Sequence, residues 1–385
     1  MSRRILLFAL LVFTPASFLA AADRLTVAPL FSLTYPPPRL ALADDGAIAI
    51  TDDFVFFGTD GGLFRAPLPL GSAPPERVAF EWTPVTALAW SDGALYATLD
   101  LDHKTGPGGA THSLMKSLDD GATWQPLDAQ LEECHGTLCE RLLATQVEVI
   151  VDRLFVNAGG NVLVSGDHGA SWSILQGASS TGKPQEQACY DPAFELVGPR
   201  LLIGGECPLD SAYLRTGTLA ADRLQWQEEP VAAQTPFLEN RNIQFIRRRG
   251  DSNLVYAGIE GALLRSTDAG ASYEFILHYD HDAPKYPYIT HILFPSTHPS
   301  AIVIAGFDKA RGGPYLAVSF DDGATWRDES ALLPGFSSMH WSVSALAQTP
   351  AGQMLIAVED DDAGALHVAE LRVTDRPSRR RAVRH

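Results

Sequence analysis

Ser117-Leu118-Asp119-Asp120-Gly121-Ala122-Thr123-Trp124 is a phrase that this chain writes four times. It returns as Ser165-Gly166-Asp167-His168-Gly169-Ala170-Ser171-Trp172, as Ser266-Thr267-Asp268-Ala269-Gly270-Ala271-Ser272-Tyr273 and as Ser319-Phe320-Asp321-Asp322-Gly323-Ala324-Thr325-Trp326. Each copy keeps Ser-x-Asp-x-Gly-x-(Ser/Thr)-(Trp/Tyr) and lies between two apolar runs, the setting of a turn joining two strands. The Asp carboxylate accepts backbone N–H groups as in an Asx-turn. The Gly supplies a positive φ. The hydroxyl ties back locally, and the aromatic ring anchors the corner. This chemistry accounts for Asp119, Asp167, Asp268 and Asp321 as structural residues.

Working outward, the strand before each box recurs with the same phase, ending at Ala66, Ser117, Ser165, Thr216, Ser266, Ser319 and Glu370. The steps are 51, 48, 51, 50, 53 and 51 residues, so there are seven units, three of which have lost the box. A preceding strand ends in a small residue in most units, as at Gly58, Ala97, Gly204, Ala257 and Ala305. Units of about 50 residues, all strand and turn, predict four-stranded blades. The fold class expected is therefore all-β, a seven-bladed propeller. The seventh unit stops after its third strand, near Thr374. An N-terminal strand near Leu25–Leu33 is expected to supply the missing outer strand and close the ring.

The four boxes, with the phrases Gly58–Arg65 and Gly258–Arg265, resemble the bacterial neuraminidase repeat, or Asp-box, propeller superfamily. The resemblance covers residues 23–375 and is closer to the xyloglucanase, sortilin and photosystem II assembly-factor group than to true sialidases. It implies the fold and leaves the activity open, because members of such a fold differ in function. The Arg-Ile-Pro phrase of sialidases is absent.

Residues 1–22 read as a signal peptide: Arg3-Arg4, an apolar stretch from Ile5 to Phe13, then Ala20-Ala21-Ala22, with cleavage expected after Ala22. The expected destination is the periplasm or exterior of a bacterium. Four cysteines suit that compartment. They allow three pairings, of which Cys134–Cys139 with Cys189–Cys207 is favoured. The net charge is −17, and without Arg3, Arg4 and the five arginines of a basic, disordered tail (376–385) the propeller body stands near −24. Such a body repels nucleic acid and anionic membranes. A monomer without cofactor or metal, and without membrane insertion, is expected.

Alternating connections place the boxes on one face, the bottom, and gather the second-to-third loops and the links between blades on the other, the top. Three top-face carboxylates, Asp102, Asp308 and Asp360, are the candidates for catalysis. His103, Lys104, Lys309, Arg311, His278, Asp280, His281, Tyr286, Tyr288 and Trp341 are the candidates for binding. The favoured function is a secreted binding or scaffold propeller, without chemistry, that recognises a protein or glycan through these loops. The alternative is a glycoside hydrolase using two of the carboxylates across the scissile bond. An assembly-factor role is weaker, because the arginine run Arg247-Arg248-Arg249 is expected in a bottom turn.

Overall fold

The structure, a computed structural model, describes residues 23–34, 47–104, 110–135, 138–176, 190–207, 211–220, 223–226, 241–333, 341–360 and 362–374. Seven four-stranded antiparallel sheets follow one another along the chain, each ordered from an inner first strand to an outer fourth. Blade 1 begins with Ile48–Ile50, blade 2 with Val85–Ser91, blade 3 with Ala144–Ile150 and blade 4 with Tyr190–Val197. Blades 5, 6 and 7 begin with Ile243–Arg248, Pro287–Leu293 and Trp341–Gln348. The outer strand of blade 7 is Arg24–Thr34, paired antiparallel with Ala365–Thr374. The first and last of the described strands thus share one sheet, as expected, and the split falls where the seventh box would lie.

An amphipathic sheet must bury both faces here, and it does so against its neighbours. Seven apolar clusters fill the seven gaps between successive blades. The one between blades 7 and 1 brings Leu355, Ala357 and Val368 onto Val55 and Phe57, so the ring is closed by packing as well as by hydrogen bonds. Burial of these side chains is the main stabilising term of such a ring.

The four boxes join third to fourth strands and share one hydrogen-bond pattern. In each, the Ser hydroxyl donates to the Asp at 2.8 Å and accepts the Gly N–H. The Asp then accepts both the N–H and the hydroxyl of the Thr or Ser four residues on. The hydroxyl of Ser171 and the other bonds to Asp167 hold its carboxyl down to about 2. An NMR titration of Asp167 is expected to find its midpoint there, and a midpoint at the ordinary value near 4 would mean that the corner is not braced this way.

The residue before each box Gly also has positive φ: Asp120, His168, Ala269 and Asp322. This turns backbone carbonyls toward the preceding blade, and a cation there reaches them. Arg65 donates to Asp120 O at 2.9 Å, Lys116 to His168 O at 3.3 Å, Arg200 to Ala269 O at 3.0 Å and Arg265 to Asp322 O at 3.1 Å. Three of these cations immediately precede the box position of their own blade, so the repeat carries its own latch to the next one. Trp326 adds a bond to Ile276 O of the preceding blade at 3.1 Å.

Above the ring, between blades 2 and 3, a hairpin pairs Glu132–His135 with Leu138–Arg141. Its ladder sets Cys134 opposite Cys139, and directly opposed antiparallel residues have Cα separations that a disulfide spans. Cys207 ends a strand of blade 4, and Cys189 lies outside the described residues. The pairing Cys134–Cys139 remains a proposal. Mass spectrometry of the unreduced protein is expected to find a peptide carrying that bond, and two free thiols at these positions would overturn it.

Candidate binding site on the rim and in the central channel

The top-face loops are built alike, and the carboxylate that organises each one is not free to work elsewhere. In blade 6, Asp308 is buried; it accepts the N–H groups of Tyr286 (3.0 Å) and Ala310 (3.1 Å) and pairs with Arg311 at 3.1 Å. In blade 2 the same part is played by Asp100, which accepts the N–H groups of Asp102 (2.8 Å) and His103 (3.1 Å) and meets the His103 ring at 2.6 Å. In blade 7, Asp360 is buried and accepts Ala363 N–H at 3.0 Å. The equivalent residues are therefore Asp100, Asp308 and Asp360. Asp102 is exposed on the channel mouth beside His103, and Lys104 donates to the Ala110 carbonyl.

The link from blade 5 to blade 6 supplies an aromatic and cationic ridge. Lys309 donates to the Tyr288 hydroxyl at 2.8 Å and lies 5.4 Å from its ring centre. His281 packs on Tyr286, whose ring is buried, with centroids 5.2 Å apart. His278 and His281 stand near different partners, Asp280 at 3.9 Å and Asp282 at 3.6 Å. Burial raises the Tyr288 phenol, more than Lys309 lowers it, so it is held protonated. Trp341 opens the inner strand of blade 7 opposite Asp360. Lys309, Tyr286, Tyr288 and His281 are thus brought together; Asp102 and His103 belong to another sector of the rim.

Sequence reasoning reached the channel that these loops surround only at its mouth, with Asp102 and His103, and missed the inner-strand residues of its wall. A cavity of about 570 Å³ runs down the inner strands of six blades. In blades 2, 3, 5, 6 and 7 the inner strand carries one extra residue, a β-bulge: Thr86, Thr145, Gln244, Thr290 and Ser344. Every one is polar, and bulges re-aim side chains at such places. Three residues beyond the bulge stand Glu148 and Arg247, level on the wall and paired at 2.8 Å. The arginine is therefore on an inner strand and lines the channel, not a bottom turn. Gln146 donates to Glu148 at 3.1 Å. Behind the pair, buried Glu195 of blade 4 accepts the N–H groups of Arg248 (2.6 Å) and Leu196 (2.9 Å), and burial pushes its carboxyl up.

His291 lines the same wall, with Nδ1 2.7 Å from the Thr290 hydroxyl. Burial, followed by the charge of Arg247, pushes its imidazole down to about 4. The native ring stays neutral at pH values where an unfolded histidine, with a pKa of about 6.5, takes up a proton. Stability is therefore expected to fall as pH drops from about 6.5 toward about 4, and His291→Gln is expected to remove that part of the slope. An unchanged acid limb in the variant, measured by urea unfolding, would contradict this.

No family model and no curated protein matches this chain. Solved structures do. One from a mitotic checkpoint complex is 12% identical with a TM-score of 0.58 and covers 96% of this chain and 99% of its own. An ancestral GH74 enzyme is 13% identical with a TM-score of 0.53, over 92% of this chain and 49% of the other. The extracellular domain assigned to a one-component system of B. thetaiotaomicron is 11% identical with a TM-score of 0.54, over 88% of this chain and 40% of the other. This chain thus spans half or less of the latter two. At such identities the likeness defines the fold, a seven-bladed β-propeller, and nothing finer. Among the described residues no helix is long and apolar enough to cross a membrane.

Proposed function

We propose that this chain is a secreted, monomeric binding propeller of the Asp-box type, which recognises a protein or glycan through the top-face rim and performs no chemistry on it. The observation that carries this reading is the employment of the rim carboxylates. Asp308 and Asp360, two of the three candidates for acid–base work, are buried and occupied in holding their own loops. Hydrolysis of a glycosidic bond needs a pair of carboxylates facing one cleft; Asp102 is left without the other two candidates, and the carboxylates that share its cavity, Asp100 and Glu148, are engaged by His103 and Arg247. The ridge of Tyr288, His281 and Lys309, seated on the buried Tyr286, suits recognition, since aromatic faces with polar ends stack on sugars and on peptide side chains.

The alternative, a glycoside hydrolase, draws on the GH74 enzymes among the structural neighbours. The two are separated by a glycan array run with product analysis on the same sugars, using the full-length protein. Retention without product, lost in Tyr288→Ala, is the expected result. Product release that Asp102→Asn abolishes would establish the hydrolase instead. Silence on the array leaves a protein partner for the same rim.

A further inference from the structure

We propose that the central channel holds a second binding site, distinct from the rim, for a small zwitterion of the free amino-acid class, its carboxylate on Arg247 and its ammonium on Glu148. The two charges sit side by side at 2.8 Å, on non-neighbouring blades, at one level of an open cavity of about 570 Å³. That volume lies within the usual range for small-molecule sites, about 300–1,000 Å³. The guanidinium side chain is 43% exposed, and the exposure is to the channel it lines.

The charge pattern selects the ligand. A simple anion must pass Asp100 and Asp102 at the mouth of a chain with net charge −17, and then meets Glu148. A simple cation is met by Arg247. A neutral molecule gains nothing from an ion pair whose members remain satisfied by each other. A molecule carrying both charges replaces one pair by two charge-assisted contacts and leaves neither wall group unpaired. Of the groups nearest the pair, His291 is neutral near pH 7, and Glu195 lies behind the wall, where it accepts the N–H groups of Arg248 and Leu196. Ile48, Ala87, Ile292 and Ala347, each partly exposed, form the apolar wall of the same cavity. They suit an aliphatic side chain, and the bulge residues Thr145, Gln244 and Thr290 supply polar rungs above.

The probe is L-leucine, titrated calorimetrically into the full-length protein, with 4-methylpentanoate and 3-methylbutylamine as analogues that carry one charge each. L-leucine is expected to bind, and each analogue at least about tenfold more weakly, the loss that follows from one charge-assisted contact. Glu148→Gln and Arg247→Gln are each expected to weaken L-leucine by about tenfold or more, while Tyr288→Ala on the rim leaves it unchanged. The analogues read the same contacts in the unaltered protein, so the test survives if a channel variant fails to fold. Equal binding of all three ligands would overturn the proposal, as would failure of L-leucine and of every other free amino acid to bind. Failure of the rim reading on the glycan array leaves this result untouched, because Tyr288→Ala separates the two sites.

Discussion

Asp128→Ala is expected to destabilise the protein by about 2–3 kcal/mol, the upper range for leaving a buried donor unsatisfied together with the loss of charge-assisted hydrogen bonds. Asp128 is fully buried and ties four segments together. It takes His112 Nδ1 at 2.7 Å and Ser113 N–H at 2.6 Å from the second-to-third loop of blade 2, and the guanidinium of Arg141 from the hairpin. The Ser113 hydroxyl donates to it at 3.2 Å and accepts Ala144 N–H at 2.9 Å, at the start of blade 3. Removal leaves the buried Ser113 N–H without its acceptor and takes the carboxylate from His112 and Arg141, which are partly exposed. Burial alone would push the carboxyl up, but the hydrogen bonds from His112, Ser113 and Arg141 outweigh it and hold it below the ordinary carboxylate range. A group depressed in the native state stabilises in full above its unfolded pKa of about 4. That contribution is lost as pH falls through the native value. Urea unfolding at pH 7 and at pH 3 should therefore show the gap between wild type and variant narrowing in acid. A loss below about 1 kcal/mol at pH 7 would mean that the hairpin is not fastened through this residue.

The second large effect is expected from Gly306→Ala, at about 3 kcal/mol, the upper end of the range for forcing a group into a filled site. A Cβ at residue 306 would stand 1.9 Å from Tyr288 O, a backbone atom that no rotamer change can move aside. The contact arises at the blade 6 bulge, where Ile289 pairs with Gly306 and His291 with Ala305, leaving Thr290 extra. The substitution must push the bulge out, and with it His291 on the channel wall. A denaturation midpoint within about 0.5 kcal/mol of wild type would show that the bulge does not fold over residue 306. The same variant should also weaken L-leucine binding if the channel reading holds.

Much of this architecture is legible in the residues. A box whose Asp, Gly and Ser satisfy one another locally needs no distant partner, so Ser117–Trp124 and its three copies form the same corner wherever they stand. The near-constant step of the strand before each box position then sets blade number, and the stop near Thr374 calls for the closing strand that Arg24–Thr34 supplies. The Arg65, Lys116 and Arg265 latches were visible as a repeated basic position before the box, but their target, a carbonyl of the next blade, was not.

The site is less legible in the sequence, for two physical reasons. An aspartate at a loop start has the same letter whether it braces the loop or faces a ligand; burial and N–H partners separate the two, and they placed Asp308 and Asp360 among the braces. A bulge shifts every later side chain of its strand to the opposite face. Glu148 and Arg247 are separated by nearly one hundred residues, and each follows a one-residue insertion that leaves no mark in the composition. Local hydrogen bonding, repeated at a constant step, was enough for the sequence alone to determine the blades, their number and the join of the two ends. Which polar groups meet around the channel depends on the curvature of the closed ring and on the bulges of its inner strands, and only the tertiary structure decides those.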